Sequence, residues 1–215
     1  DELVRPGEAL RPGAQYDSNS SLLTALISAR GAEVTPFAIL PDTPETIAAA
    51  FAAAAREHDV ILTSGGVSTG EEDHVKAAVE RHGQLNFWRL AIKPGRPVAM
   101  GTIGGAAYVG LPGNPVASFV TFVRLAGPLI DRLGGRQLQP ERGLPVVAGF
   151  SYRKKAGRRE YLRGSLREAG GKLVVERFEQ DGAALISSLI GSDGLIELDE
   201  TTTNVTPGTA VRFLA

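Results

Sequence analysis

Apolar residues in the first 135 positions follow two spacings, one typical of helices and one typical of buried strands. Helical spacing, with apolar side chains every three or four residues, occurs in residues 20–30, 47–56, 73–81 and 115–133. Short continuous apolar runs, typical of strands buried on both faces, occur in residues 59–63, 86–92, 98–102 and 106–111. Residues 33–40 also have β-type composition, and Pro36 within them indicates a strand near a sheet edge. Strands that alternate with helices predict an α/β domain whose sheet is mostly parallel and covered by helices on both faces.

The pattern changes after residue 135, where glycine and proline become frequent. The composition of residues 136–143 indicates a linker between domains. Beyond it, short β-type runs separated by glycine-containing turns occupy residues 144–150, 160–167, 172–178, 195–198 and 210–214. These runs predict a small all-β, barrel-like domain over residues 144–215, preceded by the α/β domain over residues 1–135.

Composition narrows the possible functions of the chain. Its 215 residues suffice for one large or two small domains, and its net charge of −1 argues against a general nucleic-acid-binding surface. The absence of cysteine excludes disulfides, thiolate zinc sites and a cysteine nucleophile, and it suits a cytoplasmic protein. No apolar run reaches the ~20 residues that span a bilayer and no signal-peptide pattern is present, so we expect no membrane partner. The start at Asp1, without an initiator methionine, leads us to expect a fragment of a longer protein.

A glycine-rich turn joins one predicted strand to the next predicted helix. Such a turn leaves backbone N–H groups unpaired and directed at a ligand, which is an arrangement that binds phosphate. Gly65 and Gly66 allow an anion to approach the backbone closely. Ser64 and Ser68 add hydroxyl donors, and Asp73 adds a carboxylate that suits a hard cation. An ordinary loop would explain the local pattern equally well, since the turn has neither the Walker nor the Rossmann glycine spacing.

A second turn, rich in glycine and proline, leads into the predicted helix 115–133. Pro112 and Pro115 fix φ and stiffen this turn, while Gly113 permits backbone angles that other residues avoid. Asn114 is placed as the cap of the helix, with Pro115 in its first turn. The two turns together favour a ligand-binding role over two unrelated loops.

Four segments in this order are similar to a known family. They are Tyr16-Asp-Ser-Asn19, the turn Ser64-Gly-Gly-Val-Ser68, Lys93-Pro-Gly-Arg-Pro97 and Gly110-Leu-Pro-Gly-Asn-Pro115. In combination they resemble the molybdopterin molybdenumtransferase family, which includes the bacterial enzyme of the last step of molybdenum cofactor synthesis and the E domain of gephyrin. The resemblance implies a molybdopterin-binding α/β domain followed by a β-barrel. It also implies a reaction that inserts molybdate into adenylylated molybdopterin and releases AMP.

The resemblance extends to the start of the chain and to the helix after the first loop. Residues 1–3 match the end of a family motif that follows the first strand of the α/β domain. We therefore expect that this strand, and the family's upstream domains, come before Asp1. The alternative is that another segment of the chain takes the place of this strand in the sheet. Asp17 and Asn19 are expected to cap and orient the helix 20–30.

The resemblance assigns a divalent-cation site to carboxylates of the α/β domain. Asp73, Asp42 and Glu2 match family carboxylates, and one or two of them would hold Mg²⁺ together with phosphate oxygens. The cation would neutralise the pyrophosphate bridge of the substrate. Asp42 has an alternative role as the N-cap of the helix that begins near Pro44.

Basic residues complete the site that the resemblance implies. Lys93 and Arg96 match a basic pair of the family, and they flank a Pro-Gly pair from which both can reach past the end of a strand. The alternative is a pair of solvated loop charges. We predict a pocket at the carboxyl ends of the parallel strands, with Asp73, Lys93 and Asp42 in catalysis. The predicted ligand-binding residues are Ser64, Gly65, Gly66, Ser68, Arg96, Pro112, Gly113, Asn114, Pro115 and Arg158.

The β domain carries one further family segment, Arg-x-Glu-Phe-x-Arg. The matching residues are Arg158, Glu160 and Arg163, with Tyr161 in place of Phe. The family places an oxyanion-binding arginine and a serine in this domain. Ala183 stands where many relatives have serine, and Ser192-Asp193 replaces the usual Ala-Asn. These differences question the contribution of the β domain to molybdate binding.

The resemblance also implies a homodimer, a small-molecule substrate and the molybdopterin adenylyltransferase as a partner. Two alternatives to the enzyme remain. One is a module of the same fold that binds a pterin or nucleotide without completing the reaction, and the other is an interaction scaffold of the gephyrin kind.

Overall fold

The computed structural model describes residues 2–66, 74–138, 143–180 and 182–215, without the side chains of Phe87 and Trp88. The chain divides into two compact units. The first comprises Asp1–Leu90 and Pro97–Leu138, and the second comprises Ala91–Arg96 and Gln139–Ala215. No helix within the described ranges is long and apolar enough to cross a membrane.

The first unit contains helices, a four-stranded sheet and a short pair of strands. Its helices are α1 (Asn19–Ser28), α2 (Pro44–Ala54), α3 (His74–His82), α4 (Pro115–Thr121) and α5 (Gly127–Leu133), with a π-helical segment (Phe122–Ala126) between α4 and α5. Its strands are β1 (Leu3–Val4), β2 (Gln15–Tyr16), β3 (Val60–Ser64), β4 (Gly83–Arg89), β6 (Pro97–Ile103) and β7 (Ala106–Leu111), while β5 (Ile92–Lys93) belongs to the second unit. β1 and β2 form the short pair.

The four-stranded sheet has the order β3-β7-β6-β4 and is mixed. β3 and β7 are parallel, whereas the β7–β6 and β6–β4 pairs are antiparallel. The predicted α/β class is confirmed, but the described sheet is mixed instead of mostly parallel. For β6 and β7 the reason is their connection, which consists of Gly104 and Gly105. A two-residue turn joins antiparallel neighbours, because a parallel pair needs a long crossover.

Side chains alternate between the two faces of this sheet and form a core on each face. On one face, Tyr108 of β7 packs with α2 and α3, and its ring centroid lies 5.7 Å from that of Phe51. On the other face, Val109 and Leu111 of β7 pack with Leu23 of α1 and with the helical region 115–133. The predicted helical layers on both faces are therefore confirmed.

Residues 33–40, predicted as a strand, form no strand in the structure. Their backbone has no strand partner among the described residues. A strand persists only when its N–H and C=O groups are paired with a neighbour, and Pro36 removes one of these donors. This prediction is wrong because β-type composition does not by itself provide a neighbouring strand.

The second unit is a closed β-barrel. Its further elements are β8 (Leu144–Ala148), β9 (Tyr152–Arg153), β10 (Arg159–Ala169), β11 (Lys172–Arg177), α6 (Ser187–Ile190), β12 (Gly194–Leu198), β13 (Asn204–Val205) and β14 (Ala210–Leu214). Around the ring, β8 is followed by β14, β12, β10 and β11, and β11 pairs again with β8. Leu162, Val175, Ile196 and Phe213 fill its core. The predicted barrel is confirmed, and its closure leaves none of these five strands with an unpaired edge.

The segment Ala91–Arg96 belongs to the second unit, although the sequence places it in the domain 1–135. Within it, β5 runs parallel to the start of β10, with Ile92 opposite Arg159 and Lys93 opposite Glu160. Backbone pairing with a strand far away in the sequence therefore brings Lys93 to the barrel.

Candidate functional site

Two loops leave the sheet of the first unit side by side. β3 and β7 are parallel with Ser64 opposite Leu111, so both loops begin at the carboxyl ends of their strands. The Gly65 N–H donates to the Leu111 carbonyl oxygen at 2.9 Å. A Cβ atom on Gly113 would lie 3.7 Å from Gly65 Cα. The glycine-rich turn and the proline-containing turn, predicted from separate motifs, are therefore neighbours.

Asn19, the first residue of α1, joins these two loops. Its Nδ2 donates to Ser64 Oγ and to the Gly113 carbonyl oxygen, both at 2.6 Å. Ser64 Oγ donates to the Pro112 carbonyl oxygen at 3.2 Å and lies 3.3 Å from Ser118 Oγ. Ser118, which is buried in α4, also donates to the Pro112 carbonyl oxygen. Side-chain hydrogen bonds thus fix α1, both loops and α4 to one another.

The Asn19 amide has unused hydrogen-bonding capacity. Its Oδ1 is buried and has no hydrogen-bond partner within the described part of the chain. A buried amide oxygen without a donor is unfavourable, so a ligand N–H or O–H placed there would gain a hydrogen bond. Asp17 Oδ1 accepts from the Ser20 N–H at 3.0 Å and so orients the start of α1, although Ser18 occupies the N-cap position. The capping role expected of Asn19 is wrong, because Asn19 is the first residue of the helix and its side chain donates to the two loops. The sequence missed that Asn19 bridges two distant loops.

The glycine-rich turn requires glycine at two successive positions. Gly65 and Gly66 have φ angles of 89° and 65°, in the left-handed region that favours glycine. A Cβ atom on Gly66 would lie 2.5 Å from Val75 Cγ2 on α3. The backbone geometry therefore accounts for both glycines, and their role in binding phosphate stays a prediction.

The proline-containing turn leads directly into α4. Pro112 is buried, and Pro115 is the first residue of the helix. Asn114 occupies the N-cap position as predicted, but its exposed side chain makes no capping hydrogen bond to the described backbone. We name the group of Asn19, Ser64, Pro112, Gly113 and Ser118 the Asn19 junction. The Asn114 amide is therefore accessible beside this junction.

Of the three carboxylates predicted to bind a cation, the structure describes Glu2 and Asp42 but not Asp73. Ser68 and Asp73 lie outside the described residues, so their roles stay predictions. Glu2 and Asp42 are both exposed, and Thr43 occupies the N-cap position of α2. Where the chain is described, no three His, Cys, Asp or Glu side chains form a group that could hold a metal ion.

In the second unit, Lys93 belongs to a small polar cluster. Its Nζ donates to the Tyr152 hydroxyl and to Glu160 Oε2, both at 3.2 Å. The Tyr152 hydroxyl donates to the same carboxylate oxygen at 2.8 Å. The Glu160 side chain is 2% exposed, whereas that of Lys93 is 51% exposed.

This cluster stabilises the charged form of Lys93. Partial burial acts against the charge, but the Tyr152 hydroxyl and the Glu160 carboxylate outweigh it and raise the pKa of Lys93 above its usual 10.5. Burial, followed by the same carboxylate, raises the pKa of Tyr152 above its usual 10.0. At neutral pH the cluster therefore presents an ammonium group beside a neutral phenol.

The other basic residues of the second unit differ in exposure. Of the predicted ligands, Arg96 is exposed and Arg158 is half-buried. Arg163 is buried and donates through Nε to Ser188 Oγ at 3.0 Å, and through Nη2 to the carbonyl oxygens of Gln180 and Gly182. An arginine and a serine are thus adjacent in the barrel despite Ala183. The pair Ser187-Ser188 was the signal in the sequence, but only the fold shows which strand it faces.

Comparison with known proteins identifies the family. A family model described as "Probable molybdopterin binding domain" matches residues 1–132, and another described as "MoeA C-terminal region (domain IV)" matches residues 145–215. The chain belongs to the molybdopterin molybdenumtransferase family. The resemblance inferred from the sequence motifs is confirmed.

Individual relatives match almost all of the chain. The molybdopterin molybdenumtransferase of Haemophilus influenzae is 38% identical over 213 residues, covering 98% of this chain and 53% of the relative. Molybdopterin molybdenumtransferase 2 of Mycobacterium tuberculosis is 32% identical over 220 residues, with the same two coverages. The crystal structure of the molybdopterin biosynthesis moeA protein from Pyrococcus horikosii matches with a TM-score of 0.81 and 29% identity, covering 99% of this chain and 51% of that chain. The chain therefore spans about half the length of these relatives.

Proposed function

We propose that this chain is the pterin- and oxyanion-binding part of a molybdopterin molybdenumtransferase, an enzyme that inserts molybdate into adenylylated molybdopterin and releases AMP. Family membership supports the proposal, as do the two relatives that carry this enzyme's name. The observation that carries it is the Asn19 junction. Ligands of α/β proteins bind outside the carboxyl ends of parallel strands, which is where β3 and β7 bring the two loops together.

The chemistry of the Asn19 junction suits a phosphorylated pterin. The Gly65 N–H already donates to the Leu111 carbonyl oxygen, so the Gly66 N–H is the donor that we propose for an anion, and neither glycine has a Cβ atom to block its approach. The buried Asn19 Oδ1 is an acceptor for an N–H group, of which a pterin ring has several. Ser68, Pro112, Asn114 and Pro115 are proposed to complete the binding surface.

We propose Mg²⁺ as the divalent cation, with Asp73, Asp42 and Glu2 as candidate ligands. The exposed Glu2 and Asp42 fit an ion that takes one or two protein carboxylates and completes its coordination with water and phosphate oxygens. Bound Mg²⁺ would neutralise charge on the pyrophosphate bridge. Asp73 and Asp42 are the residues proposed to hold the ion during catalysis.

The second unit is proposed to bind molybdate through its basic residues. Molybdate is a tetrahedral dianion, which ammonium and guanidinium groups bind through charge-assisted hydrogen bonds. Lys93 is a half-exposed ammonium, and Arg96 and Arg158 are further cations of the same unit. Of these, Lys93 is proposed to act in catalysis.

A second candidate function is a module that binds the pterin or a nucleotide without completing the reaction. The feature that favours it is Ala183, at a position of the β domain where the family resemblance implies a serine. An interaction scaffold is the least supported alternative, because it gives the Asn19 junction no role.

The deciding experiment is AMP release from adenylylated molybdopterin, measured with the chain and with the complete protein. We expect release by the complete protein that depends on both molybdate and Mg²⁺. Pterin binding without AMP release by the complete protein would favour the binding module. If the complete protein shows no pterin binding and no AMP release, both proposals are wrong.

The partners follow from the same proposal. Adenylylated molybdopterin must come from an enzyme that adenylylates molybdopterin, so we propose the molybdopterin adenylyltransferase as a partner in the cytoplasm. We further propose that the complete protein is a homodimer, since a two-fold symmetric pair is the commonest assembly of soluble proteins.

A further inference from the structure

Glu160 lies at the end of the barrel core, where its charge needs compensation. On β10 it is two residues before Leu162, a core residue, so both side chains are on the same face of the strand. Its carboxylate is almost fully buried and accepts hydrogen bonds from Tyr152 and Lys93. A buried carboxylate without such donors would be strongly unfavourable. The hydrogen bonds that stabilise the buried Glu160 carboxylate therefore also restrict the Tyr152 and Lys93 side chains.

Tyr152 also contacts two cations through its ring. Lys93 Nζ lies 5.9 Å from the ring centroid and Arg177 Cζ lies 5.3 Å from it, both within the range of cation–π attraction. The group of Lys93, Tyr152, Glu160 and Arg177, here named the Lys93 cluster, has two cations and one carboxylate. The half-exposed Lys93 ammonium of this cluster suits an anionic ligand.

The hydrogen bonds within the Lys93 cluster restrict the Lys93 ammonium before any ligand arrives. An ammonium group has three N–H donors, and Tyr152 and Glu160 accept two of them. Half of the Lys93 side chain is exposed, so the remaining donor can reach an external acceptor. A lysine already ordered loses less conformational entropy on binding than one that moves in solvent.

We infer that Tyr152 and Glu160 are positioning residues that fix the Lys93 ammonium, with one N–H directed to solvent, for a tetrahedral oxyanion. Neither residue touches the oxyanion itself; both act through Lys93. The inference rests on the oxyanion-binding role proposed above for Lys93.

Molybdate binding to the 215-residue chain, measured by titration calorimetry, tests the inference. Tyr152→Phe keeps the ring and removes the hydroxyl that holds Lys93, so we expect the Kd for molybdate to rise roughly three- to tenfold, the usual effect of losing one hydrogen bond. Tyr161→Phe is the matched control, because it also removes a tyrosine hydroxyl that donates to a carboxylate, but to Glu197 Oε1 at 3.4 Å instead of Glu160. We expect its Kd to equal that of the parent chain.

A second measurement separates positioning from a general effect on stability. In a chain labelled with ¹³C-lysine, the Cε signals report the titration of each lysine, and Lys93→Ala identifies the signal of Lys93. The other lysines are Lys76, Lys154, Lys155 and Lys172. Glu160→Gln and Tyr152→Phe should both lower the pKa of Lys93 and leave those of the other lysines unchanged. A merely structural role would not shift one lysine alone.

The outcomes distinguish the inference from the function on which it rests. If the parent chain does not bind molybdate, or if Lys93→Ala binds it as tightly as the parent, the oxyanion role of Lys93 is wrong and the inference fails with it. If Lys93→Ala weakens binding but Tyr152→Phe and Glu160→Gln change neither the Kd nor the pKa of Lys93, the positioning role alone is wrong.

Discussion

Among single residues, Asn19 joins three separate segments of the first unit: the start of α1, the end of β3 and the loop after β7. Asn19→Ala removes both of its 2.6 Å hydrogen bonds and leaves Ser64 Oγ and the Gly113 carbonyl oxygen without that donor. We expect AMP release by the complete protein to fall at least tenfold, by misplacement of the loops, and the free energy of unfolding to fall by about 1–2 kcal/mol. Kinetic assays and denaturant unfolding measure the two effects. The control is Asn86→Ala, at an exposed position of β4, which should change neither AMP release nor the free energy of unfolding. An Asn19→Ala variant with parental activity would contradict the role of the Asn19 junction.

Asp73 is one of the carboxylates proposed to hold the cation. Asp73→Asn keeps the size of the side chain but removes the charge that makes its oxygen a strong ligand for a hard cation. We expect AMP release to fall by roughly a hundredfold or more, with an unchanged melting temperature. The assay compares the variant with Asp59→Asn, at an exposed position before β3, over a range of Mg²⁺ concentrations. Parental AMP release at limiting Mg²⁺ would rule out the metal role, and a collapsed melting temperature would make Asp73 structural.

Single residues also show where inference from the sequence ends. The motifs identified Asn19, Ser64 and Gly113 individually. Asn19 is 45 residues from Ser64 and 94 from Gly113, so no local pattern reveals that one amide joins them. The same holds for Lys93, whose partner Glu160 is 67 residues away.

At the scale of elements, the glycine-rich turn after β3 depends on its contact with α3. Gly66→Ala would place a Cβ atom 2.5 Å from Val75 Cγ2 and would hold a non-glycine residue at a φ of 65°. We expect the free energy of unfolding to fall by about 1–2 kcal/mol, together with a loss of activity. Thermal and denaturant unfolding measure the change. Gly105→Ala is the control, since nothing lies within 4 Å of its Cβ position and its φ is not left-handed; an equal loss in both variants would contradict the prediction.

The turn between β12 and β13 should make barrel stability depend on pH. Hydrogen bonds from the Thr201 hydroxyl, and then from the Thr202 N–H and hydroxyl, lower the pKa of Asp199 to about 2. Because this pKa is lower in the folded state than the ~3.9 of an unfolded chain, Asp199 stabilises the fold above pH ~4, and this stabilisation is lost as the pH falls toward 2. Lys154 also stabilises this turn, because its Nζ donates to the carbonyl oxygens of Asp199 and Thr202, both at 2.8 Å.

Asp199→Asn tests this dependence. We expect a lower melting temperature than that of the parent at pH 7, and a difference that shrinks as the pH falls from about 4 to about 2. Scanning calorimetry across this range measures it. Glu179→Gln, which changes an exposed carboxylate, should follow the parent at every pH. A difference for Asp199→Asn that stays constant with pH would contradict the assignment.

At the scale of the whole molecule, we predict that the complete protein is a dimer. The family resemblance implies a homodimer, and a two-fold symmetric pair is the commonest oligomer of soluble proteins. Sedimentation of the complete protein at low micromolar concentration should give the mass of two chains. A monomer at high micromolar concentration would contradict the prediction.

The sequence by itself determined the α/β domain, the β-barrel, the family and most of the residues around the two loops. These features depend on local composition and short motifs, which the chain displays directly. Tertiary structure decided which strands are neighbours. It made the sheet mixed, gave residues 33–40 no strand partner in the part of the chain that the structure describes, and paired β5 with the barrel strand β10. Tertiary structure also determined which groups form hydrogen bonds with Asn19 and Lys93. Pairing is a property of two segments at once, and the preference of either segment alone does not specify the other.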